Sequence, residues 1–191
     1  MTKILAFAGS ARRESCNKQL VKFAAERARQ QGADVTLIDL RDFEMPLYHG
    51  DLEESEGQPE AATRLFDLMK QHKGYLIACP EYNSSITPLL KNTIDWLSRP
   101  REGEPHMAAF AGKVAALLSA SPGGLGGIRG LVTVRSILGN IGVHVVPKQF
   151  ALSGANDAFD ESGTLKDDKA VKQVDGVVKQ LVITTAKLGE S

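Results

Sequence analysis

Residues 1–17 read MTKILAFAGSARRESCN. The apolar run 4–8 begins almost at the first residue and ends at Gly9. A polar loop follows, made of Ser10, Ala11, Arg12, Arg13, Glu14, Ser15, Cys16 and Asn17, and a helical pattern then runs from residue 18 to about residue 31. Strand, small-hydroxyl loop, helix is how an open α/β sheet builds an anion site, because the first N–H groups of a helix have no partner inside it. Two serines, an arginine and an asparagine bring hydroxyl, guanidinium and amide donors to one loop. A phosphate monoester offers only acceptor oxygens at neutral pH and matches that set. The plainer reading is that Ser15 or Asn17 only caps the helix, as these residue types commonly do.

Outward from this stretch, apolar runs and helical patterns alternate. Residues 35–40 (VTLIDL) read as a second strand with Asp39 at its carboxyl end. Residues 41–59 form a long acidic connection punctuated by Pro46, Gly50, Gly57 and Pro59, of a length that usually serves a function or an interface. A helix over 60–71 places Leu65, Leu68 and Met69 on one face. Residues 74–79 (GYLIAC) are the third strand, and a further helix opens at Thr87 or Pro88 and stops near Pro100. Residues 113–120 (KVAALLSA) are the fourth strand, the glycine-rich 121–127 follows, and a helix covers 128–138. A fifth strand over 144–147, a loop over 160–167 and a helix over 169–187 complete the chain. Five apolar strands alternating with helices predict a parallel sheet covered on both faces, in three layers, with strand order 2-1-3-4-5. With no repeat or linker in sight, residues 1–191 read as a single domain.

In such a sheet, ligands bind outside the carboxyl ends of the strands. Three polar loops, after strands one, three and four, fall on that edge. The first contains neither G-x-x-x-x-G-K-[ST] nor G-x-G-x-x-G, which disfavours an NTPase or a dinucleotide-type site and leaves a mononucleotide with a buried terminal phosphate. The second, Pro80-Glu81-Tyr82-Asn83-Ser84, offers an aromatic face and polar donors; its plain alternative is a turn with a half-buried tyrosine. The third, 121–127, has no bulky side chain except Leu125, so a planar ligand or another chain can approach its backbone closely; its plain alternative is a flexible loop.

Composition narrows the class. The formal net charge is zero, which gives no electrostatic case for nucleic acid or an acidic membrane surface. No apolar stretch approaches the roughly 20 residues of a membrane span, and the N-terminus has no secretory pattern, so a cytoplasmic protein is expected. Cys16 and Cys79 have no metal or redox spacing. His49, His72, His106 and His144 are scattered without ligand spacing and read as surface or loop residues, and no metal is expected.

Together these stretches resemble the NADPH-dependent FMN reductase family, which includes chromate, quinone and azo-dye reductases. GSARRESCN is similar to that family's G-S-x-R-x-x-S-x-N phosphate motif. PEYNSSITPLLKNTIDWLSRP resembles its long second signature, departing at Ile86-Thr87-Pro88, and the glycine-rich loop with Arg129 resembles its G-x-x-G-G-x-R block. The resemblance spans positions 4 to 129 and implies a flavodoxin-like fold, non-covalently bound FMN, and a homodimer or homotetramer. It implies that Ser10, Arg12, Ser15, Cys16 and Asn17 hold the FMN phosphate. Pro80, Glu81, Tyr82, Asn83 and Ser84 would line the isoalloxazine, with Ser121 and Gly123 on its other side. Arg101 is assigned to a nicotinamide-nucleotide phosphate, and the acidic 41–59 segment to the partner subunit.

The function implied is an NAD(P)H oxidoreductase that passes hydride from NADPH or NADH through FMN to quinones, flavins, azo compounds or oxidised metal ions such as chromate. The cofactor carries that chemistry, so no catalytic side chain is assigned; the protein aligns the reactants and supplies the electrostatics, with donors near flavin N1 and C2=O stabilising the reduced anion. Glu81 reads as held by hydrogen bonds, Cys16 as a small residue packed at a helix start, and Trp96 as a packing or dimer-interface anchor. The rival reading is a flavodoxin-like FMN electron carrier without its own NAD(P)H oxidation. Such carriers are strongly acidic to steer toward basic partners, and zero net charge argues against one. A flavin-free binding module of the same fold would not need the donors of the first loop.

Overall fold

Alternate residues of strand β1 (Lys3–Ala8) face opposite layers, which is how one short run organises both halves of the core. The computed structural model describes residues 1–189. In it, Ile4, Ala6 and Ala8 pack against helices α1 (Cys16–Gln30) and α6 (Asp168–Gly189). Leu5 and Phe7 pack against α3 (Glu60–Lys70), α4 (Pro88–Leu97) and α5 (Ile128–Asn140). The other strands are β2 (Asp34–Leu37), β3 (Gly74–Ala78), β4 (Val114–Ala120) and β5 (His144–Leu152). All pair in parallel in the order β2-β1-β3-β4-β5, as the alternation of elements predicts. Every residue of β3 and β4 is buried, as expected for central strands covered on both faces.

Ala8 lies beside Ala78, and Ala78 beside Leu118. The ends of β1, β3 and β4 are therefore nearly level, and the loops that follow them leave the same edge side by side.

Several local expectations change. β5 continues to Leu152 instead of ending at 147. Pro147 falls where the register with β4 shifts between Ala115 and Leu117, so its missing N–H is not needed in the ladder. The first helix begins at Cys16, two residues earlier than its apolar pattern suggests. The 41–59 connection is not wholly irregular: it holds a 3-10 turn at Leu40–Asp42 and a short helix, α2 (Gly50–Glu56). His49 Nδ1 accepts from the Leu52 N–H at the start of α2, and Asp51 and Glu53 suit its positive end.

That segment packs on α4 of its own chain. Trp96 is fully buried, donates Nε1–H to Pro46 O at 2.7 Å, and meets the Tyr48 ring edge-on at 5.0 Å. Asn92 Oδ1 accepts from the Tyr48 N–H at 2.8 Å, and Arg99 pairs with Glu53. Trp96 is thus an anchor inside the chain. His72 also departs from its expected surface position. It is buried, with Nδ1 donating to Leu68 O at 2.7 Å and Nε2 2.9 Å from Thr36 Oγ1.

Candidate functional site

Residues 9–15 link β1 to α1. Ser15 stands at the N-cap of α1 in extended backbone, yet its hydroxyl makes no capping bond. It is buried, as is Ser10, whose Oγ accepts from the Arg12 N–H. The N–H groups of Cys16, Asn17 and Lys18 carry no hydrogen bond among the described residues, and the first turn contains no acidic side chain. A serine at a helix start that leaves both its hydroxyl and the first-turn amides free is the reverse of ordinary capping. With Arg12 exposed at the rim, the loop is a set of donors without an acceptor, which fits a phosphate monoester. Cys16 Sγ lies 3.8 Å from Asn156 Oδ1, and its backbone N–H belongs to the free set.

The side chain of Asn17 is engaged within the fold. Its Nδ2 donates to Ala120 O at 2.8 Å and its Oδ1 accepts from Ala120 N at 3.0 Å, so the carboxamide ties α1 to the end of β4. Thr87, at the departure from the family signature, makes a comparable tie. Its Oγ1 donates to Gly9 O at 2.7 Å and accepts from the Leu90 N–H, so it caps α4 and fastens α4 to the first loop at once. Leu90 then packs so close to Gly9 that a Cβ there would lie 3.0 Å from Leu90 Cβ.

The second loop contains a tight turn. Tyr82 and Ser85 exchange both backbone hydrogen bonds at 3.0 Å, and Asn83 and Ser84 between them have φ of 50° and 66°. This is the geometry of a primed hairpin turn, costly for non-glycine residues and characteristic of functional sites. The Asn83 and Ser84 N–H groups are unpaired among the described residues. Tyr82 is exposed, and Pro80 is buried beneath the turn.

The carboxylate of Glu81 is fully engaged. Oε2 accepts from the backbone N–H groups of Arg129 and Gly130, and Oε1 lies 2.8 Å from Arg129 Nε and 2.7 Å from Nη2. Burial alone would raise its pKa, but the Arg129 guanidinium and the two N–H groups outweigh it and hold the carboxyl below its usual range. In the third loop, Ser121 Oγ accepts from the Gly123 N–H. Ser119 Oγ donates to Cys79 O at 2.7 Å, joining β4 to the base of the second loop.

Between the second and third loops lies an open cleft of about 560 Å³, walled by Glu81, Asn83 and Ser84 on one side and by Ser121, Gly123, Gly124 and Leu125 on the other. Gly127 and Arg129 complete a lining of polar side chains and glycines, so a flat group could enter between the two loops. Arg101 is not beside this cleft. Its guanidinium stacks on Phe66 at 4.2 Å and donates to Thr63 Oγ1, both on α3. Among the described residues no group of His, Cys, Asp and Glu could hold a metal ion.

Sequence reasoning placed Thr87 at the helix start but missed its tie to Gly9, and it missed Ser119. A threonine directly before a proline at a helix start is a legible cap signal. Nothing local marks a serine inside an apolar strand as a tie to its neighbour.

The family model described as NADPH-dependent FMN reductase matches residues 2–157. The chain is 35% identical over 187 residues to an NAD(P)H-dependent FMN reductase of Pseudomonas aeruginosa, covering 97% of this chain and 96% of that protein. It is 31% identical over 179 residues to an NADPH azoreductase of a Bacillus species, covering 94% and 90% of the two chains. Among solved structures, the flavoenzyme NAD(P)H:acceptor oxidoreductase FerB from Paracoccus denitrificans superposes with a TM-score of 0.84 at 26% identity, over 98% of each chain.

Proposed function

The chain belongs to the NADPH-dependent FMN reductase family, and from that premise we propose which of its residues hold the cofactor and which electron acceptors it serves. It is an FMN-dependent NAD(P)H oxidoreductase. The FMN phosphate is held by Ser10, Arg12 and Ser15 with the free backbone amides of Cys16 and Asn17. The isoalloxazine lies in the cleft, against Tyr82 and the Asn83–Ser84 amides on one side and Ser121 and Gly123 on the other. Asn17, through its side chain, and Glu81 hold the loops in place. The observation that carries this assignment is Ser15, a buried helix-start serine that leaves its own helix uncapped.

When bound, FMN supplies the hydride-accepting and electron-donating chemistry. The chain's contribution is to orient and to stabilise charge. Two fixed N–H donors in a strained turn require no reorganisation as negative charge grows on a ring held against them. The open cleft would leave its mouth accessible to a small-molecule substrate beside the cofactor. Relatives named quinone reductase and NADPH azoreductase support quinones and azo compounds as the acceptor class. Assembly as a homodimer or homotetramer in the cytoplasm completes the proposal; no helix among the described residues is long and apolar enough to cross a membrane.

The test is the visible spectrum of the purified protein before and after NADPH is added without oxygen. Flavin bands that bleach promptly and return on adding a quinone support the proposal. Bands that persist would indicate an electron carrier, and a protein that takes up no added FMN would refute the cofactor assignment.

A further inference from the structure

We infer that Glu81 is a positioning residue that sets the separation of the two loops walling the cleft, because its single carboxylate fastens residues 80–85 to the start of α5. The inference rests on the FMN reading above, since it concerns the loops proposed to hold the ring.

α5 has no cap of its own. Gly127 stands at its N-cap with φ of 86° and brings no side-chain acceptor. The acceptors come instead from Glu81, 48 residues earlier in the chain. One oxygen serves the Arg129 and Gly130 amides and the other serves the Arg129 guanidinium, in a side chain only 9% exposed. Both oxygens thus carry donors, Oε2 the two amides and Oε1 the Arg129 Nε–H with Nη2 at ion-pair distance, and the group acts as a strut.

The strut is short because the two elements touch. A Cβ at Gly130 would lie 3.2 Å from Ser85 O and 3.3 Å from Glu81 Cβ. Ser85 closes the turn that turns Asn83 and Ser84 toward the cleft, so the strut, the turn and the helix start form one packed unit. Without the carboxylate, the first-turn amides of α5 and the Arg129 guanidinium lose their acceptor. The turn, held in positive-φ backbone by its surroundings, then loses one of the contacts that impose it.

The experiment compares wild type, Glu81→Gln and Glu81→Asp by amide hydrogen exchange of the apoprotein and by FMN titration. In Glu81→Gln, exchange should accelerate at Arg129 and Gly130 and also at Tyr82 and Ser85. The Gly9 and Cys79 amides, bonded to Ala78 O and Leu118 O, should keep their protection. The FMN dissociation constant should rise about ten-fold or more, as expected for losing hydrogen bonds to a charged group. The circular dichroism of bound flavin should change, and Glu81→Asp should recover part of each effect. Faster exchange confined to Arg129 and Gly130, with FMN affinity unchanged, would make Glu81 a helix cap only and overturn the inference. Equal acceleration at Gly9 and Cys79 would reduce it to general stability and overturn it too. If Glu81→Gln does not fold, Arg129→Met, which keeps the two backbone N–H donors to Glu81, should show the same changes more weakly, and no change there would also overturn the strut. A wild type that binds no FMN would refute the cofactor reading, while the exchange result on the apoprotein still decides the strut.

Discussion

The carboxamide of Asn17 pairs with the backbone of Ala120 as a neighbouring strand would, giving one hydrogen bond and taking one, at 2.8 and 3.0 Å. The side chain is buried, and it joins the first turn of α1 to the last residue of β4. Asn17→Ala strips Ala120 of both partners in a site closed to water, which should lower unfolding stability by roughly 2–4 kcal/mol. Urea denaturation of the apoprotein measures it. Asn17→Asp should fail to restore stability, because a carboxylate oxygen would then face Ala120 O; full recovery would mean that the donor half of the pair contributes nothing.

Ser15→Ala separates anion binding from capping. An ordinary N-cap serine contributes about 1 kcal/mol to stability, and Ser15 makes no capping bond. The apoprotein should therefore unfold at nearly the wild-type urea midpoint, while FMN binds more weakly in fluorescence titration. A loss of stability of the usual cap size with unchanged FMN affinity would return Ser15 to the role of a cap.

Arg12→Ala should weaken FMN retention by about 1.5–3 kcal/mol, the range for hydrogen bonds to charged groups. Arg12 is exposed at the rim of the loop, so the apoprotein should be unaffected. Unchanged affinity for FMN would remove Arg12 from the site.

Gly127 and Ser119 should be coupled. A Cβ at Gly127 would fall 2.0 Å from Ser119 Oγ, and the φ of 86° is itself unfavourable for alanine. Gly127→Ala should cost at least about 2 kcal/mol, and adding Ser119→Ala should recover part of it by removing the clashing hydroxyl. The backbone strain, about 1 kcal/mol or more, would remain. A double-mutant cycle by chemical denaturation checks this, and strict additivity would mean that the two side chains do not meet.

Lys113 gives the fold a pH dependence of defined sign. Its buried ammonium donates to His72 O at 2.7 Å and Lys70 O at 3.1 Å, with Met69 O at 3.4 Å, closing the end of α3. Burial first, then Lys73 and Lys70, push its pKa down to about 8 from 10.5. The unfolded chain then holds more protons than the folded one between those values. The contribution of Lys113 to stability should accordingly rise with pH across that window and be flat below it. Unfolding stability of wild type minus that of Lys113→Met, followed from about pH 7 to pH 10, should move in favour of wild type. A flat difference would show that the three carbonyls hold the ammonium near its ordinary value.

The sheet was legible in the sequence because its strands are short apolar runs bounded by polar loops. The alternation of such runs with helices admits few parallel topologies. The three loops were legible for the same reason, since each directly follows a strand end. The same letters did not reveal which donors are free. Ser15 and Asn17 both read as phosphate ligands or caps, yet Ser15 keeps its hydroxyl unpaired and Asn17 gives its whole carboxamide to Ala120. Glu81 reads as held by hydrogen bonds, but the sequence does not name the partners, which are the first amides of a helix and the Arg129 guanidinium. A hydrogen bond is satisfied by whatever lies within about 3 Å in space. Asn17 and Ala120 are 103 residues apart, Glu81 and Arg129 are 48 apart, and Ser119 and Cys79 are 40 apart. Local patterning determined the strands, the loops and the types of donor they carry; only the packed sheet edge, by bringing distant carbonyls and amides into reach, decided which donors were consumed and which were left to face a ligand.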